Sequence, residues 1–214
     1  MNQESYTIVL SSLDYEFQDE NFDFDVSGGD SEELIEIFDP VPMYQRGLWF
    51  DTSYLTINNL MLNHSFTIHF WIDIIGDGTI FSISHGGYLF ILKAEKSQLT
   101  VLYTNLIDYA KGGLKYGNWH LITCFLEYSS RSTAIDLLID HTLIGMTSID
   151  SVFIDSPEHL HLVGATMVSF NAKGDFISSY IYEFSIFPYV DKMTSSYIEI
   201  GKCGSENYCE YCPV

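Results

Sequence analysis

The sequence predicts an all-β protein, an antiparallel two-sheet sandwich of the jelly-roll kind, and three observations carry that prediction. Ser65–Ile72 alternates: Phe66, Ile68, Phe70 and Ile72 point one way, and Thr67, His69 and Trp71 the other. That is the two-residue period of a strand with one wholly apolar face, and Trp71 on the opposite face marks a central strand packed on both sides. Apolar stretches of this sort recur at intervals of about 10 to 15 residues between turn residues, with no βαβ rhythm and no internal repeat. Ile, Tyr, Phe and Ser are plentiful while Ala and Lys are scarce, a composition that suits pleated, half-buried surfaces.

A chain of 214 residues holds one large all-β domain with appendages, and 47% hydrophobic with 15% aromatic residues supports a sizeable core. The formal charge of −20 repels phosphate backbones, which excludes nucleic acid as a partner and disfavours an anionic membrane surface. It suits divalent cations, basic partners or plain solubility. No stretch reaches the length of a membrane span, so no direct membrane insertion is expected of this segment. Met1–Ser5 lacks the basic and apolar regions of a secretory signal. The chain is therefore either cytosolic or a piece of a longer exported protein.

Residues 1–42 read as an acidic N-terminal extension, part of which packs on the sandwich. Tyr6–Leu10 suits a strand. Phe22, Phe24 and Val26 alternate with Asp23 and Asp25 as a short edge strand, and Ser27–Asp30 is a turn. Ser31–Glu36, with acids suited to a helix N-terminus, is expected to begin a helical turn before Asp39-Pro40-Val41-Pro42 breaks it. The Asp spacing does not fit an EF-hand loop.

The main domain is placed at 43–200. Gly47–Asp51, Tyr54–Ile57, Ser65–Ile72, Thr79–Ile83, Tyr88–Lys93 and Leu99–Tyr103 read as successive strands, and Asn105–Gly117 as a loop. Trp119–Leu126 and Ala134–Asp140 form a hairpin around Ser129–Ser132, with Trp119 entering the strand as a large core filler. Thr142–Thr147, Leu160–Val163 and Tyr180–Phe187 complete the series, and Lys192–Ile198 suits a short helix. Residues 201–214 form a separate cysteine-rich segment.

The order of these motifs is more informative than any one of them. Gly47-Leu48-Trp49-Phe50-Asp51, Phe66–Ile72 and Gly78–Ser82 are followed by Trp119-His120-Leu121-Ile122, Ile139-Asp140 and Tyr180–Phe187. Taken together, residues 43 to 200 resemble a concanavalin A-like lectin/glucanase domain of the laminin G-like (LamG) jelly-roll group. The resemblance implies two antiparallel sheets of six or seven strands and recognition of glycan or protein, with calcium as the family's occasional cofactor. Where the family turns through Asp-Gly, this chain has Asp140-His141, so a different or strained turn is expected.

The chemistry expected is binding. Glucanases of this fold carry a Glu-x-Asp-x-x-Glu strand that sets two carboxyls about 5 Å apart. This chain has no such run, and Glu183 stands alone on its strand as a structural acid. No Gly-x-Ser-x-Gly, His-Glu-x-x-His or phosphate-cradling loop occurs, so no enzymatic activity is expected. Asp73 and Asp77, flanking one strand-end loop, are calcium candidates, with Asp108 and Asp175 in other loops; solvated loop acids are the alternative for all four. His159-Leu160-His161 puts two imidazoles on one strand face, a candidate zinc pair short of a third ligand. His69 and His120 read as half-buried, hydrogen-bonded residues of core strands, and Cys124 as a small apolar core residue.

Cys203, Cys209 and Cys212 crowd the end of the chain as Cys-x5-Cys-x2-Cys-Pro. That spacing resembles the opening of a growth-factor-receptor-like or EGF-like repeat and makes all three disulfide candidates, which implies an oxidising compartment. Asn63-His64-Ser65 is a glycosylation sequon. The expected protein is a non-catalytic recognition or adhesion module that binds glycan or an extracellular protein through rim loops, within a larger surface or secreted chain. A structural spacer is the alternative, and a glycoside hydrolase ranks last.

Overall fold

The computed structural model describes residues 8–10, 26–28, 35–37, 47–57, 60–84, 88–103, 106–109, 114–150, 155–169, 172–187 and 190. Lys192–Ile198 and Cys203, Cys209 and Cys212 lie outside them, as do the side chains of Asp108 and Glu183. The described secondary structure is β-strand: β1 (Ile8–Leu10), β2 (Val26–Gly28), β3 (Ile35–Ile37), β4 (Gly47–Phe50), β5 (Leu55–Ile57), β6 (Phe66–Gly76), β7 (Gly78–Ser84), β8 (Tyr88–Glu95), β9 (Gln98–Tyr103), β10 (Leu106–Tyr109), β11 (Trp119–Tyr128), β12 (Thr133–Ile139), β13 (Thr142–Ile149), β14 (Leu160–Val163), β15 (Thr166–Ser169), β16 (Ala172–Gly174) and β17 (Ser178–Phe187).

Two antiparallel sheets stack face to face. The larger runs β13-β12-β11-β6-β17-β4-β3, with β1 added on β17, and the smaller runs β10-β9-β8-β7-β14-β5-β2. The hairpin β15–β16 forms a separate two-stranded sheet. β6 lies in the middle of the larger sheet, between β11 and β17, as its two-sided sequence predicts. Phe66, Ile68, Phe70, Ile72 and Ile74 turn into the sandwich, where Phe70 stacks on Phe184 at 5.3 Å and Phe184 meets Phe81 of the opposite sheet at 5.7 Å. Thr67, on the outer row of β6, is buried too, as are Thr123 of β11 and Ser185 of β17. Cys124 sits in the core between Ile68 and Leu137.

Several elements differ from the sequence reading. Of the helical turn expected at Ser31–Glu36, the described Ile35 and Glu36 lie instead in strand β3, which pairs with β4 and puts Ile35 opposite Trp49, while residues 31–34 lie outside the described residues. Ile35 and Ile37 flank Glu36, a two-residue alternation that serves an edge strand as well as a helix end. The loop expected over 105–117 contains strand β10, paired with β9. The β12–β13 turn is made without glycine: Asp140 and His141 hold φ of 48° and 67°, the pair of left-handed residues that a two-residue hairpin needs. Asp and His tolerate that region better than most side chains.

Two glycines are required by close approach. At Gly78 (φ 157°) a Cβ would come within 2.3 Å of the Phe176 carbonyl oxygen, and at Gly164 (φ 89°) within 2.4 Å of the Phe50 ring. Both sit where β7 and β14 meet the segment leading into β17, so they set how tightly the strand ends close.

Candidate functional site

The alternation of β6 that drives Ile72 and Ile74 into the core places Asp73 on the outer face of the larger sheet. Cross-strand register does the rest. Trp119 of β11 is directly opposite Asp73 on one side, Tyr180 of β17 on the other, and Trp49 of β4 is opposite Tyr180. Directly opposed residues share a face, so Trp119, Asp73, Tyr180 and Trp49 form one row across four strands. All four are half-buried.

The rings form a continuous surface. Trp49 and Tyr180 have centroids 4.6 Å apart, and Trp119 and Tyr180 are 6.4 Å apart. Residues two strands apart start about 10 Å from each other, so Trp119 and Tyr180 lean together across the strand that carries Asp73. Between them in the row, Asp73 Oδ1 is buried with no hydrogen-bond partner among the described residues. Burial raises the Asp73 carboxyl above the usual carboxylate range, against the opposing pull of His120 and the Gly117 N–H. An aromatic row beside a half-buried carboxylate offers flat apolar area and a hydrogen-bond acceptor.

Trp119 is therefore a platform residue rather than the core filler expected. The signal lay in its own strand: Ile122, Cys124 and Leu126 form the core row of β11, and an odd-numbered neighbour falls on the other face. Nothing local told which residues of β17 and β4 would stand opposite it.

The loop beside the row is clasped in place. His120 Nδ1 lies 2.7 Å from Asp140 Oδ2, and its Nε2 lies 3.1 Å from the Lys115 N and 3.2 Å from the Lys115 carbonyl oxygen. Asp140 Oδ1 also accepts the Leu121 N–H at 2.9 Å. The Asp140 carboxylate raises the His120 pKa above its ordinary value in spite of burial. His69, hydrogen-bonded to Thr123 at 3.0 Å, is moved the opposite way, down to about 4, by burial and then by His141.

The other sequence candidates are dispersed. Asp77 is exposed at the β6–β7 turn, where Oδ1 accepts the Lys96 N–H at 3.1 Å and the Tyr116 hydroxyl. Burial, and next the Asp77 carboxylate, pushes Tyr116 up to about 12. Asp175 accepts the Thr79 hydroxyl at 2.7 Å. Among the described residues no three His, Cys, Asp or Glu side chains gather as a metal-holding group.

His159 and His161 do converge, but on a carboxylate. Asp155 Oδ1 receives His159 Nδ1 and the Ser156 N–H, each at 2.8 Å. Oδ2 receives His161 Nε2 at 2.8 Å and the Leu62 N–H at 2.7 Å. The Ser156 N–H also lies 3.0 Å from His159 Nδ1; with the imidazole proton directed at Asp155, that nitrogen donates rather than accepts. Four donors fill the carboxylate, and the nitrogens that face it are committed to it instead of to zinc. Asn63, the sequon residue, is exposed, and its Oδ1 accepts the Asp155 N–H at 2.9 Å.

No protein-family model matches the chain, and no curated protein does. Solved structures match its fold. Domain 4 of AbnA, a GH43 extracellular arabinanase from Geobacillus stearothermophilus in complex with arabinotriose, aligns at TM-score 0.58 and 10% identity, over 85% of this chain and 88% of that one. A heptameric SAP-like pentraxin from Limulus polyphemus aligns at 0.55 and 12%, over 69% and 73%. The fold is an all-β, antiparallel two-sheet jelly-roll sandwich. The binding domain of botulinum neurotoxin serotype C1 aligns at 0.57 and 14% identity, over 84% of this chain and 47% of that one. The chain thus spans about half the length of that structure, as it does of two further matches at 51% and 52%. At these identities the likeness is one of fold. No helix among the described residues is long and apolar enough to cross a membrane.

Proposed function

We propose that this chain is a non-catalytic carbohydrate-recognition module of the laminin G-like type, and that it binds a glycan across Trp119, Tyr180 and Trp49 with Asp73 in the same row. The observation that carries the reading is the in-register row of three rings around one half-buried acid. Stacking on aromatic faces supplies area and orientation, and a carboxylate accepts hydroxyl hydrogen bonds. The neighbour that holds arabinotriose supports a sugar ligand. The row contains a single carboxylate, whereas most glycoside hydrolysis needs a pair; recognition is the chemistry it suits. The site lies on a sheet face near one end of the sandwich, so rigid strands rather than rim loops would set its shape.

An extracellular setting, with Cys203, Cys209 and Cys212 in disulfides and Asn63 glycosylated, belongs to the same proposal. The exposure of Asn63 supports it, as does the extracellular nature of the arabinanase neighbour. Calcium at Asp73 or Asp77 would need further oxygen ligands beside the carboxylate, since among the described residues no three His, Cys, Asp or Glu side chains gather.

The test is a glycan array probed with wild type and with Trp119→Ala and Tyr180→Ala, each with and without chelator. Half-buried ring substitutions should leave the fold intact and weaken binding by at least about tenfold, since aromatic contacts dominate such interfaces. Binding unchanged in both variants would refute the platform, and hydrolysis of a bound glycan would refute the non-catalytic reading. An empty array would favour the structural-spacer alternative.

A further inference from the structure

The aromatic row carries a charge that nothing within it balances. Of its four residues Asp73 alone is an acid, and no Lys or Arg stands among them. Asp73 Oδ1 is buried and has no hydrogen-bond partner among the described residues. The Gly117 N–H and His120 both favour the carboxylate, but burial outweighs them. His120 brings no net positive charge to the site, because Asp140 Oδ2 lies 2.7 Å from its Nδ1 and balances the imidazolium when it forms. A carboxylate drawn part-way out of water without a counter-charge is costly in the free protein. A ligand that brings the counter-charge removes that cost.

The rings beside Asp73 favour a cation as well. The face of an aromatic ring is negative, and an ammonium within about 6 Å of a Trp or Tyr centroid is attracted to it. Trp49 and Tyr180 are 4.6 Å apart and Trp119 and Tyr180 6.4 Å, so one ammonium can lie within that reach of two rings at once. The ring planes are inclined by 43° and 40°, which lets them direct more than one face at a single bound group. The whole chain adds to this: 29 acids against 9 Lys and Arg make a field that draws cations and repels anions. A sugar bearing carboxylate or sulfate would bring a second negative charge to Asp73, with no basic residue in the row to receive it.

We propose that the glycan bound at this row carries protonated amines, as de-N-acetylated glucosamine units do, with an ammonium against the ring faces and Asp73 as its counter-charge. The inference rests on the glycan reading above and narrows it to a cationic class of sugar. The rings supply contact area to any sugar, and Asp73 distinguishes an amine from a neutral acetamide.

The probe is a short β-linked glucosamine oligomer, compared with the same oligomer fully N-acetylated. Binding to the full chain is followed by calorimetry, in buffer acidic enough to protonate the amines and not the carboxylate. The amine form should bind about tenfold or more tightly in low salt, and the gap should narrow as salt screens the pair. Trp119→Ala should weaken both oligomers. Asp73→Asn keeps the shape of the side chain and removes one charge of the net −20. It should keep or raise the melting temperature and bring the two oligomers to equal affinity. An amine preference that survives Asp73→Asn would assign the attraction to the overall charge and overturn the proposal. Equal affinity of wild type for both oligomers, with both lost in Trp119→Ala, would overturn it too while leaving the glycan site in place. Amine binding untouched by Trp119→Ala, or binding of neither oligomer, would also overturn it, and the neutral glycans of the array then decide the glycan reading itself.

Discussion

Asp155→Ala tests how much of the fold rests on one buried carboxylate. Its side chain is wholly buried, and its four donors come from three places: the Leu62 segment before β6, the adjoining Ser156, and the two histidines flanking Leu160. The carboxylate therefore ties the approach to β6 to the approach to β14. Truncation leaves the Leu62 N–H and His161 Nε2 without an acceptor where water hardly reaches, since His161 is 1% exposed. Each buried orphan costs about 1–3 kcal/mol. Ser156 and His159 lie closer to solvent and can recruit water. The expected loss is about 2–6 kcal/mol, the sum over those two orphans, against a total domain stability of about 5–15 kcal/mol. Urea unfolding followed by tryptophan fluorescence should show the midpoint falling by about 1–3 M with an unchanged slope. A second signature is pH. Burial works to raise the Asp155 carboxyl, but His161, the Leu62 N–H and His159 outweigh it and hold the carboxyl below its ordinary value. A depressed folded pKa contributes stability present above the unfolded value, near pH 4, and lost as pH falls through the folded one. Wild type should show that acid loss and the alanine variant should show less of it. A stability change under about 1 kcal/mol, or the same acid limb in both proteins, would refute the reasoning.

Three other outcomes follow from the same geometry. Gly78→Ala and Gly117→Ala are chemically identical changes with different surroundings: at Gly78 the new methyl meets backbone of Phe176 and Ile177, whereas Gly117 (φ 74°) has open space. Gly117→Ala should cost about 1–2 kcal/mol for its left-handed backbone alone, and Gly78→Ala clearly more by chemical denaturation. The His120 pKa is raised by Asp140, so its contribution is complete below the unfolded value of 6.5 and is lost as pH rises through the folded one. Melting temperature should therefore decline from pH 6 towards pH 8 in wild type and stay flatter in His120→Gln. Cys124 is fully buried, and burial, followed by Asp136, pushes its thiol up. With Cys203, Cys209 and Cys212 replaced by Ser, a thiol reagent should label Cys124 only as fast as the protein unfolds, and rapid labelling of the native state would contradict its place in the core.

What the sequence made legible were the features that a single strand encodes in its own period. The core row of β6 and its central position follow from alternation over Ser65–Ile72, and the β11–β12 hairpin follows from two apolar rows around Ser129–Ser132. Features that depend on pairing between distant strands were not legible. β3 has only three residues, and its Glu36 serves a helix end as readily as a strand. Asp155 meets Leu62 across 93 residues of chain, a contact that no local pattern announces. The aromatic row stands between these cases. The phase of Trp119 could be read from Ile122, Cys124 and Leu126, but its neighbours depend on the irregular register of β17, which shifts between Ser178 and Ser179 and again between Tyr182 and Ser185. Moving that register by one residue would carry Tyr180 to the core face and Ile181 to the platform. The shifts in β17 thus settle which side chain faces Asp73. Because Ile72 and Ile74 anchor Asp73 from the core side, the row takes its rigidity from the same strand that organises the sandwich.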